Sequence, residues 1–198
     1  MGAIFLSASV PELGREGFET ASPFLIREAV SALVEVVLGR RILIWGGHPA
    51  ITPMIWAAAS DLGLDYGGVV RLYQSLYFED RFPEDNARFH NVVYTPKIEN
   101  DRTASLRLMR EQMLHSSSFD AAIFIGGMEG IRDEFEMVRT LTPGPQVIAI
   151  PSPGGVARDV FRRSGPYPTE LETAIDFSNW FYKLLEISPR AERHRRLS

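Results

Sequence analysis

The sequence predicts an α/β fold, a single Rossmann-like three-layer α/β/α domain with a mainly parallel sheet. The chain has 198 residues, which is the size of one domain. Its short apolar runs are continuous rather than alternating, as expected for strands that helices cover on both faces. The order strand, glycine-rich turn, helix also recurs three times, after Trp45, Ile125 and Ile150.

The strands are the short apolar runs that end at serine, glycine or proline. In chain order they are predicted at 3–7, 41–45, 69–73, 92–94, 121–125 and 147–150. Because ligands of such sheets lie beyond the carboxyl ends of the strands, the turns that follow these runs are the expected site.

The helices are the longer segments with apolar residues at helical spacing. They are predicted at 23–38, 49–62, 100–116, 131–141 and 169–187. Gly39 ends the first helix, because glycine readily adopts the left-handed conformation found there. Asn100 or Asp101 caps the third helix. No linker divides the chain, so one domain is predicted over 1–188, followed by a tail at 189–198.

Composition excludes several classes of protein. With 45% apolar residues the chain can bury a core, so it is not disordered throughout. The net charge of −4 disfavours a general nucleic-acid binder. No cysteine is present, which excludes a disulfide scaffold and a thiol nucleophile and fits a cytoplasmic protein. No apolar run approaches about 18 residues, so no membrane span is expected.

The turn around Gly126, Gly127 and Gly130 follows a predicted buried strand and opens a helix. Glycines allow a ligand to approach the backbone closely, and the free N–H groups of a helix start favour an anion such as a phosphate. A purely structural turn is the alternative for any one such loop. P-loop, GxGxxG and GxSxG motifs are absent.

Charged side chains near these turns have two interpretations each. Glu134 is either an ordinary acid in the first helical turn or a ligand of ribose hydroxyls. Arg102, Arg107 and Arg110 either bind phosphate or belong to a solvated helix face. His48 either donates to a phosphate or base or serves only the turn. The histidines, His90 included, lack metal-ligand spacing, so neither a metal nor a cofactor is expected.

The segment Gly126–Glu134 resembles the SLOG superfamily, the Rossmann-like domains related to LOG phosphoribohydrolases and to DprA/Smf proteins. In the LOG motif, PGGxGTxxE, one residue separates the glycine pair from the next glycine. Here the spacer is one residue longer, so Gly130 follows two residues after the pair, and Ile131 and Glu134 take the motif's threonine and glutamate positions. LOG enzymes carry an arginine 16 residues before the first glycine, where this chain has Arg110. The turns at 7–9 and 46–48 are similar to the superfamily's other ligand turns.

Departures from the LOG motif favour a different branch. Ile125 replaces its proline, Ile131 its threonine, and the turn is longer. This form resembles the SLOG branches proposed as sensors of nucleotide-derived signals, often in bacterial defence. The resemblance therefore implies a binder of a nucleotide or an ADP-ribose-like ligand, linear or cyclic. The implied ligand-binding residues are Ser7, Ser9, Gly46, Gly47, His48, Arg102, Arg107, Gly126, Gly127, Met128, Glu129, Gly130 and Glu134.

Two other functions stay open. A LOG-like enzyme would hydrolyse the N-glycosidic bond of a nucleoside 5′-monophosphate to free base and ribose 5-phosphate, with Arg110 and Glu134 as the catalytic pair. A partner-binding domain would use aromatic residues between 73 and 89, which otherwise form a small core under a long loop. The resemblance also implies a homodimer. The tail, with four arginines and one acid, is predicted to be disordered and solvated, or to contact an acidic partner or nucleic acid.

Overall fold

A computed structural model describes residues 2–82 and 91–195. Six parallel strands form one sheet in the order β4-β3-β2-β1-β5-β6, which confirms the predicted fold class. The strands are β1 (Ala3–Ser9), β2 (Ile42–Trp45), β3 (Val70–Ser75), β4 (Val92–Thr95), β5 (Phe119–Gly126) and β6 (Gln146–Ile150). The chain extends the sheet outward from β1 to β4 and then crosses to the other side of β1. The strand order therefore reverses between β1 and β5, and a ligand cleft is expected there.

Helices cover both faces of the sheet. They are α1 (Pro23–Val37), α2 (Thr52–Asp61), α3 (Tyr66–Val69), α4 (Arg102–Leu114), α5 (Glu129–Val138), α6 (Ala157–Arg163) and α7 (Phe177–Leu184). Alternate residues of each strand enter opposite cores: Leu6 packs with α1 and α7, while Phe5 packs with α4, α5 and α6. Met109 and Met113 of α4 are buried in the second of these cores.

Local signals set several helix ends as predicted. Asp101 caps α4 by accepting a hydrogen bond from the Ala104 N–H at 3.0 Å. Gly39 follows α1 with a left-handed φ of 77°. These two features confirm the capping predictions, although most element bounds differ from the predicted ones by one to three residues.

The last predicted helix, at 169–187, is interrupted. The structure has a 3₁₀ turn at Thr169–Glu172 and then α7, which Asp176 caps by accepting from the Asn179 N–H. A cap inside the periodic segment restarts the helix, so the apolar spacing alone merged two elements. Helix α6 had not been predicted. A 3₁₀ helix, Leu76–Arg81, lies in the segment expected to be irregular.

The described part of the tail is attached to the end of α1. Arg40 donates hydrogen bonds to the carbonyl oxygens of Pro189 and Ala191, at 3.3 and 2.9 Å. The His194 N–H donates to the Gly39 carbonyl at 2.7 Å, and Arg193 donates to the Leu38 carbonyl. The charge run predicts a solvated tail, but Arg193 and His194 here donate to the carbonyl groups just beyond the end of α1, and Arg40 donates back to the tail.

Candidate functional site

A cleft of about 250 Å³ opens at the carboxyl ends of β1, β2 and β5, where the strand order reverses. It is lined by the last residues of β1, by the end of β2 and the turn after it, by one side of α4 and by the start of α5. Most of the predicted ligand-binding residues line it: Ser7, Ser9, Gly46, Gly47, His48, Arg102, Met128, Glu129, Gly130 and Glu134.

Arg110 and Glu134 form an ion pair in the cleft wall. The Arg110 Nε donates to Glu134 Oε1 at 3.1 Å, and the Ser7 hydroxyl donates to Glu134 Oε2 at 2.5 Å. Arg110 also donates to Asp133 Oδ2 at 3.1 Å and to the Gly130 carbonyl at 3.4 Å. The Arg110 and Glu134 side chains are only 12% and 15% exposed. Each carboxylate oxygen of Glu134 is therefore held by a separate donor, which fixes the plane of the carboxylate.

Gly130 makes room for this pair. A Cβ atom built on Gly130 would lie 2.7 Å from the Arg110 Nη2 atom, which is closer than real Cβ atoms approach a neighbour. A side chain at this position would push Arg110 away from the carbonyl that it contacts. The glycine that the motif predicts at the helix start therefore serves the ion pair.

At the mouth of the cleft, the loop after β1 is tied to α5 by two ion pairs. Arg15 pairs with Glu129, and the neighbouring Glu16 accepts two hydrogen bonds from Arg132, at 2.7 and 2.9 Å. The hydrogen bond from Arg15 is the main reason that the pKa of Glu129 lies below its ordinary value. The Glu129 carboxylate also interacts with its own backbone N–H at the start of α5, where an anion is favoured.

His48 is a neutral hydrogen-bond donor in the cleft. Burial lowers the pKa of His48, and the charge of Glu12 opposes that effect only in part. The Ala50 N–H donates to His48 Nδ1 at 3.3 Å, so the ring proton of neutral His48 is carried by Nε2. His48 can therefore offer one N–H to a ligand acceptor without placing a charge in the cleft.

Three predicted ligand-binding residues lie outside the cleft lining. Gly126 and Gly127 adopt left-handed φ values of 64° and 80°, and added Cβ atoms would collide with Ile26 and Ile131 respectively. These glycines thus serve a crowded turn. Arg107 pairs with Glu111 at 2.9 Å on the exposed side of α4.

Other cleft residues were not predicted from the sequence. Arg15, Thr103 and Asp133 line the cleft, and none of them belongs to a motif. Trp45, which is buried, also reaches the lining, and its indole N–H has no hydrogen-bond partner among the described residues. The sequence offers one signal for Arg15, which is its position in the loop that follows the first predicted strand.

The aromatic stretch divides between several environments. Tyr73 is buried in the core beneath α4. Tyr77 and Phe78 lie on a separate cavity beside the cleft, and Phe82 packs against Tyr94 with ring centres 5.5 Å apart. Phe89, together with His90, lies outside the described residues. These positions do not form one exposed aromatic patch within the described part of the chain.

Metal-binding clusters and membrane-spanning helices are both absent from the described residues. Residues 2–82 and 91–195 contain no group of three or more histidine, aspartate or glutamate side chains able to hold a metal ion. Within the same ranges, no helix has both the length and the apolar character needed to cross a membrane.

The model of the SLOG cluster3 family matches residues 16–185. The match includes all of the cleft lining except Arg15 and the residues of β1. A search of curated proteins found no match.

Proposed function

Because the chain belongs to the SLOG cluster3 family, we propose that its cleft binds a nucleotide-derived ligand of the ADP-ribose type, linear or cyclic, and that the protein acts as a sensor of this ligand. A role in bacterial defence is part of the proposal, since the sensor branches that the sequence resembles act in such systems.

The balance of charges in the cleft carries this proposal. Its lining contains three arginines and three carboxylates. These six residues are Arg15, Arg102, Arg110, Glu129, Asp133 and Glu134. Arginines bind phosphate groups, whereas carboxylates accept hydrogen bonds from sugar hydroxyls. A ligand that carries both phosphate and ribose uses the arginines and the carboxylates together. Inorganic phosphate would use only the arginines, and a free base mainly the carboxylates.

Arg102 is the cation best placed for the phosphate. It is the first residue of α4 and makes no ion pair with any of the described residues, whereas Arg110 is held by Glu134 and Arg15 by Glu129. The positive charge of Arg102 acts on Glu129 at longer range, but no carboxylate in the described part of the chain pairs with it directly, so its donors are free for a ligand. Glu134, already oriented by two donors, supplies an acceptor for ribose.

Binding can be tested by calorimetry and thermal shift with ADP-ribose, cyclic ADP-ribose and AMP. A ligand at about 100 times its Kd stabilises the folded state by about 2.7 kcal/mol, which gives a clear rise in Tm. Arg102→Ala should weaken binding by about tenfold or more, as expected for loss of a charge-assisted contact. Arg107→Ala is the matched control, because it removes an arginine from the same helix outside the cleft lining. No binding by any of these nucleotides would refute the proposal.

An N-glycoside hydrolase is the second candidate, and the Arg110–Glu134 pair favours it. The pair lies in the cleft wall, and two donors orient the Glu134 carboxylate. A carboxylate that stabilises an oxocarbenium-like charge needs such a fixed orientation. Incubation with nucleoside monophosphates and detection of free base tests this reaction. Glu134→Gln should abolish release of the base; release at the wild-type rate in that variant would exclude the role.

We also propose a homodimer, as the family resemblance implies. Sedimentation velocity at two protein concentrations tests the oligomeric state directly, and a monomer at both would refute this part of the proposal.

A further inference from the structure

A second cavity, of about 320 Å³, lies beside the cleft and shares Arg102 with it. The 3₁₀ helix Leu76–Arg81 forms one wall, and the residues before α4 form the other. Since one side chain lines both spaces, a ligand group held by Arg102 has access to each of them.

Arg102 is positioned between two different chemical surroundings. On the cleft side it is accompanied by Thr103, at the first turn of α4. On the other side its guanidinium carbon lies 6.0 Å from the centre of the Phe78 ring, which is the distance of a cation–π contact. A phosphate on Arg102 would therefore lie at the junction of the two cavities.

The second cavity is suited to an aromatic ring and not to another phosphate. The rings of Tyr77 and Phe78 contact each other edge to face, with centres 5.0 Å apart and planes at 75°. Asp80, Glu99 and Asn100 also line this space, together with the cations Arg81 and Lys97. Arg81 pairs with Asp80 at 3.9 Å and Lys97 pairs with Glu79 at 3.7 Å, so both cations are already engaged, and a second phosphate would also meet the carboxylate of Glu99. A nucleobase instead offers a π-face to the rings and edge N–H groups to the carboxylates.

We propose that the second cavity holds the nucleobase of the ligand whose terminal ribose lies in the cleft, with the diphosphate at Arg102. This inference rests on the proposed function. The terminal ribose then lies on the Glu134 side of the cleft, the two phosphates at the first turn of α4, and the base against the ring of Phe78. The ligand is thus an extended molecule, with its base and its terminal sugar in different cavities.

The test compares a ligand that has a base with one that lacks it. Calorimetry with the full chain measures the Kd of ADP-ribose and of ribose 5-phosphate for the wild type, Phe78→Leu and Phe78→Ala. Leucine keeps an apolar side chain of similar bulk but has no π-face, so it separates loss of stacking from loss of packing. Tyr94→Ala is the control, because Tyr94 is a half-exposed aromatic residue that lines neither cavity.

Loss of a base-stacking partner should raise the Kd of ADP-ribose by about tenfold in Phe78→Leu. The Kd of ribose 5-phosphate should be unchanged in both Phe78 variants, and Tyr94→Ala should bind both ligands as the wild type does. If ADP-ribose binds the wild type and Phe78→Leu equally well, or if both ligands weaken together, the base is not in this cavity although the cleft still binds nucleotides. If the wild type binds neither ligand, the proposed function fails and this inference fails with it.

Discussion

Substitution of Glu134 separates the structural from the chemical contribution of the carboxylate. Glu134→Gln keeps the shape of the side chain and can satisfy both neighbours, since its amide oxygen accepts from Arg110 and its amide nitrogen donates to the Ser7 oxygen. Glu134→Ala removes both interactions and leaves the hydroxyl of Ser7, a buried residue, without its acceptor. The alanine variant should therefore lose much more stability than the glutamine variant.

The magnitude follows from the contacts. A hydrogen bond to a charged group contributes about 1.5–3 kcal/mol to stability, and Glu134 accepts two of them. Their full sum is not expected, because Arg110 keeps its contacts to Asp133 and to the Gly130 carbonyl, and water can enter through the cleft. The expected loss in free energy of unfolding is about 2–3 kcal/mol for Glu134→Ala and about 1 kcal/mol for Glu134→Gln.

Urea unfolding, followed by circular dichroism, measures both values. Glu136→Ala is the control on the same helix, since its pairs with Arg139 and Arg163 are half-exposed and should contribute less than about 0.5 kcal/mol. The reasoning is refuted if Glu134→Ala stays within about 0.5 kcal/mol of the wild type, or if glutamine is as damaging as alanine. The first result would mean that the ion pair does not stabilise the fold; the second would mean that the negative charge, not the hydrogen-bond geometry, is required.

Three other predictions concern the cleft and the loops around it. Gly154→Ala should lower the free energy of unfolding by about 2–5 kcal/mol in a urea titration, because its φ is 81° and an added Cβ would lie 1.8 Å from the Thr20 carbonyl oxygen. Glu129→Gln should tighten ADP-ribose binding severalfold by calorimetry, since it frees Arg15 for the phosphates while the amide oxygen can still accept from a ribose hydroxyl; weaker binding would show that the ligand needs the negative charge of Glu129. Burial lowers the pKa of His48 below 6.5, so the unfolded chain binds the proton more readily and stability falls as pH drops below 6.5. His48→Asn should reduce that slope in unfolding measured between pH 5 and 7, and an unchanged slope would assign it to other groups.

The sequence predicts a site residue correctly where a motif sets both the residue type and its spacing from the other motif positions. Gly130, Glu134 and Arg110 follow a spacing typical of the family, and the structure brings all three into contact. Arg15 has no such spacing. It meets Glu129 only because the loop after β1 and the start of α5 lie at the same sheet edge, and that is a consequence of strand order.

Helical phase explains the different positions of the three arginines. The cleft-facing residues of α4 are Arg102, Thr103, Leu106, Met109 and Arg110, which form one stripe along the helix. Arg107 follows Leu106 by a rotation of about 100°, so it points away from that stripe and pairs with Glu111. Arg107 and Arg110 are neighbours on the helix surface, yet spacing alone does not show which of them faces the sheet.

The glycine turns show the opposite limit. Gly126 and Gly127 both have a left-handed backbone. Glycine is needed for this conformation both where a ligand approaches the backbone and where a turn is crowded by its own side chains, so the residue type does not distinguish the two. The Gly127 N–H donates to the Ser9 carbonyl and its carbonyl accepts from the Val156 N–H, so its backbone groups are used within the protein. Only the positions of the neighbouring segments of the protein, which the fold determines, distinguish a ligand turn from a crowded one.

The central position of β1 has a consequence for biosynthesis. One edge of β1 pairs with β2, which follows it closely in the chain, but the other edge pairs with β5, from Ala3 opposite Phe119 to Ser9 opposite Gly126. A ribosome makes β1 well before β5, so an apolar strand edge stays unpaired through much of translation. Such an edge is a template for association between nascent chains, and it is closed only when β5 is inserted. The same insertion brings Ser7 to Glu134, so the cleft is completed by the step that removes this hazard.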